Sequence, residues 1–202
     1  MSQLAHYFVT DIECDGPDPA RHSMLSFATV VVREDGQMCG EFEAVLKPRP
    51  DRSPDPQTMK WWAGQPEAWE AATSDPAEPA DAMQRFASWV ETYPQVRSFA
   101  ARPVAFDGLW IDRYLRDFAS ACLLDIPYWG RNIFTAGALD IGTYMCAVLG
   151  LTKMQTLDTV LPAEWMGHYP HTHRAIDDAR GYACLLATLF GRLRDARKPE
   201  GA

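Results

Sequence analysis

Tyr7-Phe8-Val9-Thr10-Asp11-Ile12-Glu13 is an aromatic and β-branched run that passes into two acidic residues separated by one isoleucine. Such side chains favour a strand over residues 7–13. The stretch Asp15-Gly16-Pro17-Asp18-Pro19 then breaks it. Residues two apart in a strand share a face and lie about 6.5–7 Å apart, so Asp11 and Glu13 point the same way, with Val9 behind them. Paired carboxylates at a strand end beside a tight turn suit Mg²⁺ or Mn²⁺, which prefer hard oxygen ligands. Taken alone, Asp-x-Glu is a weak signal and far more often an ordinary solvated strand end, so its meaning depends on its company.

Outward from this strand, residues 23–33 form a second one, densest in Phe27-Ala28-Thr29-Val30-Val31-Val32. Glu34-Asp35-Gly36-Gln37 carries the Asp-Gly hairpin signal, and a third strand follows at 39–46. Three strands joined by short turns predict an antiparallel meander opening the fold. Short helices are expected at 59–64 and 67–72, on either side of Pro66, and a longer one at 80–93. A short buried strand is expected at 96–101. Phe106, Trp110, Tyr114 and Phe118, flanked by Ile111 and Leu115, then make one broad apolar helix stripe. Further helices fit 140–149 and 174–194, and 198–202 is a polar tail. Strands first and helices later place the chain in the α/β or α+β class.

The 202 residues suit a single domain, 1–202 with its core at about 7–193. No apolar run approaches the roughly 20 residues that span a bilayer, and Met1-Ser2-Gln3-Leu4 has no basic, apolar leader pattern. Cys14, Cys39, Cys122, Cys146 and Cys184 are scattered, with no CxxC pair, which fits idle thiols in a reducing, cytoplasmic setting and no membrane partner. The net charge of −8 excludes a protein that coats long duplex DNA, because phosphate neutralisation needs a basic surface. GxSxG and P-loop signatures are absent.

Two further motifs carry chemistry. Phe106-Asp107 places a carboxylate in the first turn of the aromatic helix, where the helix dipole alone would favour it. His173-Arg174-Ala175-Ile176-Asp177-Asp178 opens the last helix. A five-residue spacing does not share a helix face, so His173 belongs on the loop or first turn and Asp178 one turn inside. Asp178 lies on the side of Tyr182, Leu185 and Leu189 and should face inward; Asp177 should face water. His171 competes with His173 for any catalytic role.

The order Asp-x-Glu, Phe-Asp, His-x₄-Asp resembles the three motifs of the DEDDh 3′–5′ exonucleases of the ribonuclease H-like superfamily, the group of RNase T, oligoribonuclease and polymerase proofreading domains. Asp55-Pro56-Gln57-Thr58-Met59-Lys60-Trp61-Trp62, with Gln65 and Ala68, resembles a branch of small bacterial and phage exoribonuclease-like proteins. Many relatives carry His-Asn shortly before Phe-Asp; this chain has Ala101-Arg102-Pro103-Val104-Ala105. The resemblance implies an α/β, ribonuclease H-like mixed five-stranded sheet, antiparallel in its first three strands and flanked by helices. It implies two Mg²⁺ or Mn²⁺ ions per site held by Asp11, Glu13, Asp107 and Asp178, with His173 as general base. The expected partners are 3′ ends of single-stranded RNA, or alternatively DNA, and the product is a nucleoside 5′-monophosphate. A catalytically silent scaffold of the same fold is the non-enzymatic alternative. Trp61, Trp62, Phe27 and Tyr128-Trp129 are candidates to stack on bases, and 55–72 is the candidate homodimer interface. Trp61 and Trp62 are adjacent, so a helix cannot bury both on one narrow face.

Overall fold

A computed structural model describes residues 4–123 and 131–197. Tyr128 and Trp129, the start Met1-Ser2-Gln3 and the tail 198–202 lie outside them. Strands β1 (His6–Cys14), β2 (Met24–Arg33) and β3 (Met38–Val45) form the antiparallel meander. β4 (Arg97–Ala101) and β5 (Ala138–Asp140) add parallel strands, giving a mixed sheet in the order β3-β2-β1-β4-β5.

The side-chain alternation of β1 divides the core into two layers. Phe8 and Ile12 face helices α3 (Pro79–Glu91) and α4 (Val104–Phe118), in a cluster with Phe86, Trp110 and Tyr114. Val9 faces the other way, toward α5 (Ile141–Leu149) and α7 (Ala175–Ala196), with Ile176, Ala179 and Leu186. Asp11 and Glu13 follow Val9 at the two-residue period, so they emerge on the face that α7 covers. A smaller cluster seats α1 (Pro56–Trp62) and α2 (Pro66–Thr73) on Leu25 of β2.

Several boundaries differ from the sequence expectation. α1, α2 and α3 start on Pro56, Pro66 and Pro79, residues that read as breaks in the sequence. Proline is pre-organised for the first helical position, where its missing N–H costs nothing. The fifth strand is three residues long and only part-buried, too short to show a period. α6 (Lys153–Asp158), held by a Thr152/Gln155 capping box, and a 3₁₀ turn at Ala163–Met166 have no counterpart among the elements expected from sequence.

The α4 stripe is only partly buried. Trp110, Ile111, Tyr114 and Leu115 are enclosed, whereas Phe106 is 37% exposed and Phe118 half-buried. A four-residue spacing turns about 40° per step on a helix of 3.6 residues per turn, so the two ends of such a stripe diverge. Among the described residues no helix is long and apolar enough to cross a membrane.

Candidate active site

β4 pairs with β1 only from His6 to Val9. Beyond that point the N–H of Ile12 donates to Asp107 Oδ1 at 3.2 Å, so the first turn of α4 takes up the ladder where β4 stops. This bond draws the buried Asp107 carboxylate onto the end of β1, beside the half-buried Asp11 and Glu13. α7 crosses the same strand end and buries Asp178 there. Carboxylate oxygens of Asp11, Glu13 and Asp178 lie within 4.8 Å of one another. All four acidic residues singled out by sequence therefore meet at one strand end.

Their electrostatics follow from that crowding. Burial, and then the Asp107, Glu13 and Asp178 charges, push the Asp11 carboxyl well above its ordinary range. Burial, followed by Asp178 and Asp107, raises Glu13 to about 8. Burial raises Asp107 to about 7 against the opposing bond from Ile12, and also raises Asp178. Among the described residues no lysine or arginine pairs with any of the four. A dense set of hard oxygen donors without a protein cation fits divalent ions, which would offset the repulsion.

Both histidines stand at the mouth. His171, exposed, lies with Nδ1 2.7 Å from Asp178 Oδ1. His173 is half-buried in a left-handed backbone conformation, φ 57°. Its ring meets Trp61 edge-on at 4.9 Å and His171 at 4.4 Å. Burial, and then His171, lower the His173 pKa. Asp177 does not face open water: it is half-buried, accepts from the Thr172 hydroxyl at 2.9 Å and so anchors the histidine loop. Tyr182, one turn after Asp178, borders the cluster, and burial and then the Asp11 charge raise its phenol to about 12.

The aromatic candidates separate clearly. Trp61 is 42% exposed and touches His173. Trp62 is buried, with Nε1 donating to the Cys14 carbonyl at 2.9 Å. Phe27 is wholly buried between Phe42 and Phe86. Core packing accounts for both, and neither offers a face to a base.

The sequence model of the 3′-5′ exoribonuclease Rv2179c-like domain matches residues 6–190. The 3′-5′ DNA exonuclease Cap18 of Escherichia coli is 28% identical over 196 residues, covering 93% of this chain and 92% of Cap18. Among solved structures, the zinc-bound complex of E. coli exonuclease I with single-stranded DNA superposes with a TM-score of 0.64 at 18% identity, over 96% of this chain and 42% of that one. The exonuclease I complex with a dT13 oligonucleotide gives 0.64 at 18% identity, over 95% and 43%. The chain thus spans less than half the length of exonuclease I, and at this identity the likeness is one of fold.

Proposed function

The chain belongs to the Rv2179c-like family of 3′-5′ exoribonuclease domains, and from that premise we propose that residues 1–202 form one domain that hydrolyses single-stranded RNA from its 3′ end, releasing nucleoside 5′-monophosphates. The observation that carries this reading is the convergence of Asp11, Glu13 and Asp178 within 4.8 Å, with Asp107 tied to the same strand at Ile12. These four carboxylates would hold two Mg²⁺ or Mn²⁺ ions. Such ions, when bound, polarise the scissile phosphate and acidify the attacking water.

The protein's own groups do the rest. His173 accepts the proton of the attacking water. Its lowered pKa keeps the imidazole neutral, and so able to act as a base, at neutral pH. The water oxygen attacks phosphorus and the P–O3′ bond breaks; the departing O3′ takes a proton from solvent to leave a 3′-hydroxyl on the shortened strand, and the phosphate stays on the released nucleotide. Trp61 braces His173 and presents exposed surface on which a terminal base can stack. The excess of acidic surface favours a grip on the last few nucleotides only.

A DNA substrate is the second reading, favoured by the similarity to Cap18 along 93% of the chain. A homodimer through 55–72 belongs to the same account, supported by the apolar hollow of Met59, Trp62, Pro66 and Trp69. A dimeric mass in solution supports it and a monomeric mass removes it. The functional test uses RNA and DNA oligonucleotides labelled at either end, with and without Mn²⁺. We expect metal-dependent release of the 3′ label as mononucleotide, progressive shortening of the 5′-labelled strand, and faster decay of RNA. Shortening from the 5′ end, or no cleavage of either polymer, would overturn the proposal.

A further inference from the structure

A cleft of about 480 Å³ lined by Arg102, Pro103, Asp140, Gly142, Lys153 and Tyr182 shares Tyr182 with the border of the carboxylate pocket. Many cationic side chains of this acidic protein are engaged in ion pairs: Arg49 with Asp117 and Asp51, Arg116 with Asp112, Arg180 with Glu41. Arg102 and Lys153 form no ion pair among the described residues, yet they line one cleft. The Arg102 guanidinium lies 5.7 Å from the centre of the Tyr182 ring, which fixes it at the edge of the acidic cluster.

Asp140, the one carboxylate lining the cleft, attracts Lys153 without forming an ion pair with it and spends its oxygens on hydrogen bonds. It accepts from the Val104 N–H at 2.9 Å and from the Thr143 N–H and hydroxyl at 2.7 Å each, joining the starts of α4 and α5. Gly142 leaves room for the ammonium: a Cβ there would lie 3.1 Å from Lys153 Nζ. Lys153 is also the first residue of α6, where a cation opposes the positive end of a helix. The Asp140 charge across Gly142 accounts for part of its placement, and an anionic ligand in the cleft would complete it.

We propose that Arg102 and Lys153 form a phosphate cradle that holds a phosphate group of the nucleic acid next to the carboxylate pocket. The inference rests on the exonuclease reading given above. Two sources share the required chemistry: the strand phosphodiester adjoining the scissile one, and the 5′-phosphate of the released mononucleotide. The pocket of four carboxylates repels a polyanion, and two cations across Tyr182 counter that repulsion at one point.

The test compares the whole protein with R102A, K153A and the double variant, with R102K as the conservative control and melting temperature as the check on folding. In Mn²⁺, on a ten-nucleotide single strand, each alanine variant should raise KM about tenfold if the strand phosphate is the ligand, the scale of a lost charge-assisted hydrogen bond, with kcat within twofold, and R102K should restore part of the loss. The slope of log affinity on log salt should become shallower by about 0.7. A single methylphosphonate next to the scissile linkage should weaken the unaltered protein and leave the double variant unaffected if the strand phosphate is the ligand. Inhibition by adenosine 5′-monophosphate should instead weaken in the double variant if the product phosphate is.

Unchanged KM together with unchanged inhibition by adenosine 5′-monophosphate in the double variant, or a loss confined to kcat, would each overturn the cradle. If the unaltered protein cleaved nothing, the exonuclease reading would fall. The cradle would then be judged by fluorescence anisotropy of a 5′-labelled oligonucleotide in Ca²⁺: weaker binding by the double variant supports it, and equal binding removes it.

Discussion

Glu13 and Asp107 sit where burial and like charge raise their carboxyls to about 8 and about 7. A group whose folded pKa lies above its unfolded value binds protons more tightly when folded. Its stabilising contribution is complete at acid pH and disappears as pH rises through the folded value. Metal-free protein should therefore melt at progressively lower temperature from pH 5 to pH 8.5, and Mg²⁺ should raise the melting temperature more at pH 8.5 than at pH 5. Differential scanning calorimetry in chelator and in Mg²⁺ checks this; a flat profile in chelator would remove the repulsive cluster. Asp11→Asn relieves the same repulsion, so it should leave metal-free protein as stable as before or more so while abolishing metal-dependent cleavage. The histidines are separable in the same way. His173→Ala should lower kcat by about 10²–10⁴, the usual worth of a general base, with the Mg²⁺-induced rise in melting temperature retained. His171→Ala should cost less than about tenfold. The opposite ranking would give the base role to His171, which in this structure is the histidine touching Asp178.

At the scale of elements, β1 supplies two carboxylates, α4 one and α7 one, and each arrives by a local rule. The alternation of β1 was legible because Val9, Asp11 and Glu13 hold the two-residue period. Asp178 was legible because a 22-residue amphipathic helix leaves little doubt about its inward face. The Ile12–Asp107 bond was not, since nothing in the sequence tells where β4 stops pairing with β1. The Asp178–His171 contact was hidden for a related reason: it depends on the left-handed backbone at His173 and on the Thr172–Asp177 anchor. Adjacent tryptophans excluded burying both rings on one narrow face, but did not tell which would be exposed, because that depends on α1 packing against Leu25 of β2. Trp61→Ala should raise KM about 5- to 150-fold if a base stacks there, the span of about 1–3 kcal/mol per stacked base, and steady-state kinetics on short oligonucleotides will show it. Tyr114→Phe tests the scaffold alone. It leaves the buried Met24 N–H without its 2.8 Å partner and should cost about 1–3 kcal/mol of stability with kcat unchanged.

For the whole molecule, the sheet order and the two-layered core placed the strand end where α4 and α7 could both reach it. Net charge of −8 and an acidic pocket make the protein an unusual partner for a polyanion unless contact is local and cations intervene. Composition made that tension visible early; the cleft at Arg102 and Lys153 did not show in sequence, because the two residues lie on separate segments and α6 was too short to read. On the proposed function, the acidic cluster acts as one divalent-ion centre. Calorimetric titration of the metal-free protein with Mn²⁺ tests this most directly, alongside Asp11→Ala and Asp178→Ala. Two ions should bind the unaltered protein, with at least one lost in each variant; no binding, or equal stoichiometry and affinity in all three proteins, would contradict it.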